Sequence, residues 1–392
     1  MTQDFGLYIH WPFCLSKCPY CDFNSHVRDR IDEDLWRRSL LQELIWSAQT
    51  YGRDRRLVSI FFGGGTPSLM PASIVAALID KARDLWEVAE DLEITLEANP
   101  TSAEAGRFQD FAQAGVNRLS LGIQALNQKD LTFLGRTHSA DHAKEAIQMA
   151  AAIFPRFSFD LIYALPGQGV EAWRDTLEEA LTLKPRHLSC YQLTYEPGTA
   201  FYPKFLRGEL AYPHEDLAVE LYETTGRILE SHGLNAYEVS NYGAPGHECR
   251  HNLIYWRYQD YIGIGPGAHS RVSDPILQTK RALQTERAPE TWLAQVEALG
   301  HGQKESTPLS PQEVFEEWMM MGLRLQEGIH TERCQTLTGR PFEAFVSSKR
   351  QKALLEEGLL SDHAPLGWVR ASQRGRLVLE KVLSVFLETC AH

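Results

Sequence analysis

Three things are scarce in this sequence. No apolar run approaches the roughly 20 residues needed to span a bilayer, and the opening MTQDFGLYIHW lacks a basic segment followed by an apolar stretch and a small-residue cleavage site, which argues against export. Basic residues are outnumbered, 39 Lys and Arg against 51 Asp and Glu, for a net charge of −12. That balance disfavours tight non-specific binding to phosphate backbones or anionic lipid, so no nucleic-acid partner is expected. Cysteine is also sparse, seven in 392 residues, yet Cys14, Cys18 and Cys21 fall within eight positions. These absences predict a cytoplasmic protein, in which thiols stay reduced and a dense cysteine group reads as a metal site rather than a disulfide frame.

What is present is a long alternation of two patterns. Apolar, β-prone runs recur at 7–11, 58–64, 92–100, 116–124, 157–167 and 187–194. Between them, residues 32–51, 71–88, 102–114, 139–153 and 170–183 space apolar side chains by three and four, several opened by Asp, Ser or Pro. Such alternation predicts an α/β fold with a parallel sheet wrapped by helices. Six units predict a partial (β/α)6 barrel of TIM type, with functional residues gathered at the C-terminal strand ends. A helix is expected at 215–232, followed by an aromatic and glycine-rich stretch from Tyr237 to Ser270. The expected organisation is residues 1–235 as the barrel, 236–305 as a connecting region and 306–392 as a small, mostly helical, winged-helix-like domain. Residues 311–392 carry 10 basic and 11 acidic side chains, which gives that domain no basis for binding DNA.

The three cysteines form C-x3-C-x2-C just after the first strand, on a loop flanked by Pro12 and Pro19. A structural zinc ion would need a fourth ligand, from His10 or His26. An iron–sulfur cube held by three cysteines instead leaves one iron open to an external ligand. The spacing alone leaves both readings open.

With GGGTPS (63–68) after the second strand and the repeated strand–helix units, this loop resembles that of the radical S-adenosylmethionine superfamily. The motifs YIHWPFC, CPYCDF, FGGGTPS, LEANP, LGIQALN, GRTHS, FDLIYALPGQ and HNLIYW, in this order over most of the chain, are similar to the branch holding oxygen-independent coproporphyrinogen III oxidase and a related haem chaperone. The resemblance implies a 4Fe-4S cluster on Cys14, Cys18 and Cys21. Its open iron would chelate S-adenosylmethionine, and one electron would cleave the sulfonium to give a 5′-deoxyadenosyl radical. It also implies that Gly64, Gly65 and Thr66 contact S-adenosylmethionine, together with Gln124, Arg136, Asp160, Tyr8, Tyr20 and Thr194. Glu97, at the end of an apolar strand, is costly unless a cation satisfies it. For Arg136 the alternative is a surface ion pair.

Within that branch two features point away from the oxidase. The oxidase pattern has a further cysteine two residues after the third, where this chain has Phe23, and only six residues precede the first strand, too short an arm to help shape an active site. The stretch CRHNLIYWRYQDYIGIGPGAHS (249–270) contains H-N-x-x-Y-W with Cys249 beside it. Imidazole is a common axial ligand of haem iron, and aromatic rings suit a flat macrocycle. By resemblance His251 is the haem ligand, although a lone histidine is more often structural. His269 is assigned to structure, and Met319 to Met321, in a helical setting, to core filling. The expected function is delivery of haem b, carried as cargo, to acceptor haemoproteins, with peripheral contact to those in membranes. The rival readings are a coproporphyrinogen III dehydrogenase and a cluster-dependent assembly or redox-sensing protein without haem.

Overall fold

Six strands follow one another along the chain: β1 (Gln3–Trp11), β2 (Arg55–Gly64), β3 (Glu87–Ala98), β4 (Arg118–Gln124), β5 (Arg156–Tyr163) and β6 (His187–Gln192). In this computed structural model, which describes residues 3–28, 30–52, 55–274 and 279–387, they pair in parallel and in chain order. Residues in register share a face, and alternate residues point to opposite faces. One face carries Leu7 and Ile9, Ile60 and Phe62, Ile94 and Leu96, Leu119 and Leu121, and Phe159 and Leu161, all buried in one core. The other carries Tyr8 and His10, Ser59 and Phe61, Thr95 and Glu97, Arg118 and Ser120, and Ser158 and Asp160. The strands that read as near-continuous apolar runs therefore have one apolar and one largely polar face.

Helices cover the apolar face. They are α1 (Glu33–Tyr51), α2 (Ala72–Leu85), α3 (Ala140–Ile153), α4 (Val170–Thr182) and α5 (Glu215–Ser231). Asp32 and Ser139 cap α1 and α3, accepting from the backbone N–H of Leu35 and His142, which satisfies donors that a helix start leaves free. The single helix expected over 102–114 is split into 102–105 and 108–113 by a turn at Gly106 and Arg107, as the low helix propensity of glycine allows. No helix among the described residues is long and apolar enough to cross a membrane.

The sheet continues beyond the six strands on both sides. Next to β6 lie β7 (Asn235–Ala236) and β8 (Asn241–Gly243), antiparallel; next to β1 lies β9 (Asp260–Ile264), parallel, then β10 (His269–Asp274), β11 (Thr279–Thr285) and β12 (Gln303–Pro308). The order β12-β11-β10-β9-β1-β2-β3-β4-β5-β6-β8-β7 leaves an open sheet of twelve strands, not a closed barrel. Residues 260–308 thus supply strands of the main sheet.

The helix α6 (Arg250–Trp256) lies on the polar face, where Ile254 and His251 approach Gly6 so closely that a Cβ there would sit 2.8 Å from the Ile254 side chain. After α7 (Pro289–Leu299) and β12, Ser310 and Glu313 form a capping box that starts α8 (Pro311–Gly322). Phe315, Trp318 and Met319 of α8 then build a second core with Phe342, Leu354 and Phe386, among them α9 (Ser348–Glu356) and α10 (Leu379–Leu387). A two-residue ladder, Ile329–His330 against Trp368–Val369, completes this mostly helical unit. Met319 is core, as expected of the methionine run, but Met320 is 41% exposed and Met321 only half-buried. Neighbouring helical residues point about 100° apart and cannot all face one core.

One buried charge group ties β9 to its neighbours. The Asp260 carboxylate, fully buried, accepts from the Arg55 guanidinium, from Lys280 Nζ at 2.6 Å and from the Ser273 amide and hydroxyl. Burial opposes its ionisation, but Lys280 and Arg55 together hold its pKa below the usual carboxylate value. This stabilisation is complete above the ordinary carboxylate range and is lost as pH falls through the lowered value. Asp260→Ala leaves two buried cations unpaired and should cost about 3–5 kcal/mol. A thermal melt at neutral pH should show a clear drop in Tm; an unchanged Tm would mean that both cations find water.

Candidate cofactor site

The C-terminal ends of β1 to β5 converge on one cavity. Its wall includes Cys14, Cys18, Cys21, Tyr20, Gly65, Thr66, Glu97, Gln124, Arg136 and Asp160, so ten of the fourteen expected site residues are brought together. The cysteine loop is fixed by backbone bonds from Gly65 N–H to Trp11 O at 2.7 Å and from Thr66 N–H to Phe13 O at 2.8 Å. A Cβ on Gly65 would stand 2.7 Å from Phe13 O, so only glycine allows this approach. The Thr66 hydroxyl donates to Cys14 Sγ at 3.2 Å, and Arg136 Nη1 to Cys18 Sγ at 3.3 Å. Arg136 also donates to Asn99 Oδ1 and to Gly122 O, which replaces the surface ion pair with contacts in the cavity wall.

Neither histidine proposed as a fourth ligand joins the thiols. His10 bonds the Tyr8 hydroxyl and Asn24 O, and His26 bonds the Asn24 side chain. Among the described residues no group of three or more His, Cys, Asp or Glu side chains gathers closely enough to hold a single metal ion. Three thiols ringing a cavity suit a larger body than one zinc ion, and the donor set matches three corners of an iron–sulfur cube. Cys190, Cys249 and Cys334 are each buried elsewhere, and Cys390 lies outside the described residues.

The Glu97 and Asp160 carboxylates, on the polar face of the sheet, both line this space. Burial, and then the neighbouring Asp160, push Glu97 up to about 8, while the Gly64 amide bonded to it opposes the shift. Burial raises Asp160 to about 6, countered by the Ser189 hydroxyl and by Arg118. Gln124 adopts φ 74°, a left-handed conformation that non-glycine residues rarely take and that marks functional positions in other folds. Asn99 and Glu104, which sequence reasoning passed over, line the same cavity. Asn99 lay within the quoted LEANP motif, whereas nothing marked Glu104.

A second cavity, of about 710 Å³, adjoins the first, sharing Phe23 and Glu97 in its wall. Tyr8, Gly64 and His10 form its sheet side, Tyr255, Trp256, Tyr258 and Tyr261 an aromatic side, and Met320 and Met321 of α8 part of the remainder. Tyr258 also takes a left-handed backbone, at φ 49°. His251 lines neither cavity. It is buried, its Nδ1 bonded to Ser59 Oγ and its Nε2 to Tyr255 OH, both at 2.8 Å, and burial lowers its pKa to about 3. The nitrogen expected for haem iron is therefore already engaged. Thr194 is exposed and stands outside both cavities.

Sequence profiles of the Radical SAM superfamily and of the HemN C-terminal domain match residues 8–180 and 309–378. The chain is 38% identical to the protein named Heme chaperone HemW of Escherichia coli (strain K12), over 97% of this chain and 98% of that one. The chain belongs to the radical SAM superfamily. This radical SAM chain is also 40% identical to Radical S-adenosyl methionine domain-containing protein 1, mitochondrial, of Bos taurus, over 97% and 87% of the two chains. The solved coproporphyrinogen III oxidase (HemN) of Escherichia coli superposes with a TM-score of 0.81, covering 99% of this chain and 91% of that one, at 21% identity. That likeness is one of fold. Membership of the radical SAM superfamily implies a 4Fe-4S cluster and S-adenosylmethionine, and the first cavity is lined by the three thiols together with the Glu97 and Asp160 carboxylates.

Reconstituted without oxygen, the chain should hold about four irons, and Cys14→Ala, Cys18→Ala or Cys21→Ala should each abolish them, because two thiolates cannot retain a cube. Iron content should survive Cys190→Ser, Cys249→Ser and Cys334→Ser. Loss of iron from any of these three would point to a ligand set other than the loop.

Proposed function

We propose that this chain is a haem chaperone: it binds a 4Fe-4S cluster through Cys14, Cys18 and Cys21, S-adenosylmethionine at the strand ends, and haem, which it hands to acceptor haemoproteins. The observation that carries this reading is the junction of the two cavities. A thiol-ringed space and a larger, aromatic-walled one meet at Phe23 and Glu97. A volume of about 710 Å³ falls within the roughly 300–1,000 Å³ of small-molecule and cofactor sites, and aromatic side chains suit a macrocycle. The HemW name borne by relatives at 32–38% identity favours the same cargo.

In this reading residues 1–235 supply the cluster site, and residues 236–305 with 306–392 enclose the haem together with Tyr8, His10 and Phe23. When bound, the reduced cluster supplies one electron to S-adenosylmethionine. The protein's own groups hold that ligand. Backbone oxygens at Gly64 and Gly65 would accept from its ammonium, Glu97 and Asp160 would offset its positive charge, and Arg136 fixes the Cys18 side of the loop. Acceptors are met in the cytoplasm, membrane-bound ones through peripheral contact.

Haem titration and an anaerobic coproporphyrinogen III assay test the reading together. The chain should bind haem, pass it to an apo-haemoprotein, and form no protoporphyrinogen in the presence of reductant and S-adenosylmethionine. Multiple turnovers would instead establish the dehydrogenase reading, with Phe23 standing harmlessly where the oxidase pattern has a cysteine. Cluster binding with neither haem binding nor turnover would favour an assembly or redox-sensing role.

A further outcome concerns pH. Burial pushes Glu97 up to about 8, so below that value a cationic ligand must displace its proton. Affinity for S-adenosylmethionine should therefore weaken as pH falls from about 8 towards 6. Glu97→Gln should bind more weakly and with a flatter pH dependence in calorimetric titrations; an unchanged profile would remove Glu97 from ligand binding.

A further inference from the structure

The second cavity contains an imidazole that no side chain or backbone group among the described residues engages. His269, the first residue of β10, is exposed and lines the cavity, and among the described residues no hydrogen bond engages its ring. Among the described residues Arg287 is similar: it is exposed, lines the same cavity, and its guanidinium has no carboxylate partner. Its neighbour Arg271 is already committed, paired through two 2.8 Å bonds to Glu317. His251 is equally committed, and for it to reach iron would require breaking bonds to Ser59 and Tyr255 and opening the floor formed by α6.

Haem iron needs a side chain with a free lone pair beside an open volume, and its two carboxylate arms need cations. We propose that His269, not His251, ligates the haem iron, and that Arg287 pairs with a haem carboxylate. The inference rests on the haem-binding reading above and names the residues of that site. His251 then has a positioning role. Its bond to Tyr255 OH and its stacking on Phe61, at 5.0 Å between ring centroids, hold α6 so that Tyr255 and Trp256 form the cavity wall. The motif H-N-x-x-Y-W supplies the wall, while the iron ligand comes from the strand that follows.

The side chains present fit a haem in three respects. The imidazole is unengaged, the walls are aromatic, and Met320 and Met321 add thioethers, which are also known haem ligands. The cavity also shares Phe23 with the cluster loop, which places a bound macrocycle next to the iron–sulfur site.

The test is haem titration of the full-length, reconstituted chain followed by its Soret band, with iron content as the control for folding. His269→Ala should bind haem at least about tenfold more weakly, a loss of 1.4 kcal/mol or more, and with a displaced Soret maximum. His269→Gly should regain the original spectrum on addition of free imidazole, a rescue that a structural role would not give. Arg287→Ala should weaken binding without moving the Soret maximum. His251→Phe should leave the Soret maximum in place, whatever it does to affinity. A displaced maximum in His251→Phe, with His269→Ala unchanged, would overturn the assignment while leaving the haem function intact. Failure of the unaltered chain to bind haem would overturn both.

Discussion

The site depends on how closely two backbone segments approach. The Gly65 and Thr66 amides bond the carbonyls of Trp11 and Phe13, which extends the β1–β2 pairing beyond the strands and fixes where the cysteine loop starts. A side chain at Gly64 would overlap the His10 ring, 2.5 Å away, and one at Gly65 the backbone of residues 12 and 13. The glycines therefore act through what they lack. They let the loop lie against the end of β2, so that Thr66 reaches Cys14 and the thiols hang over the strand ends.

From that anchor the polar face of the sheet determines what the cavity can hold. Register places Glu97 beside Ser120, and Asp160 beside Ser189, on the face away from the helices. Burial on this face raises the pKa of both carboxylates, and Asp160 adds to the rise at Glu97. A cation entering the cavity relieves this burden. Gln124 holds a left-handed backbone at the same strand ends, a local strain that the surrounding sheet over-determines.

The aromatic cavity has a different origin. Beyond the side made by Tyr8, His10 and Gly64, its walls come from β9 and β10, which extend the sheet past β1, and from the helices α6 and α8. Arg271 and Tyr258 both bond Glu317 of α8, so the helix is clamped over the cavity by charge and not only by apolar contact. Asp260 performs the corresponding task beneath the strands, holding Arg55, Lys280 and Ser273 together. The C-terminal unit, through Glu317, Met320 and Met321 of α8, thereby lines the second cavity.

The sequence by itself determined the parts of the protein that depend on local spacing. The six strand–helix units follow from periodicity, and the cysteine loop and GGGT turn from short motifs whose residues act within a few positions of one another. Most of the first cavity's wall was legible for the same reason, since in a parallel sheet the strand ends meet at one edge and their polar residues meet with them. Tertiary structure alone decided whatever depends on which surface a residue faces after distant segments meet. His251 carries a suggestive motif, but a hydroxyl from β2, 192 positions away, takes one of its nitrogens. His269 has no such signal, and only the docking of α8 and the addition of β9 to the edge of β1 place it in an open cavity. Thr194 sits where a strand end was expected, yet β6 stops at Gln192 and leaves it in solvent. Periodicity specifies a face within an element, whereas access to a ligand is set by which elements pack over that face, and no local pattern encodes this.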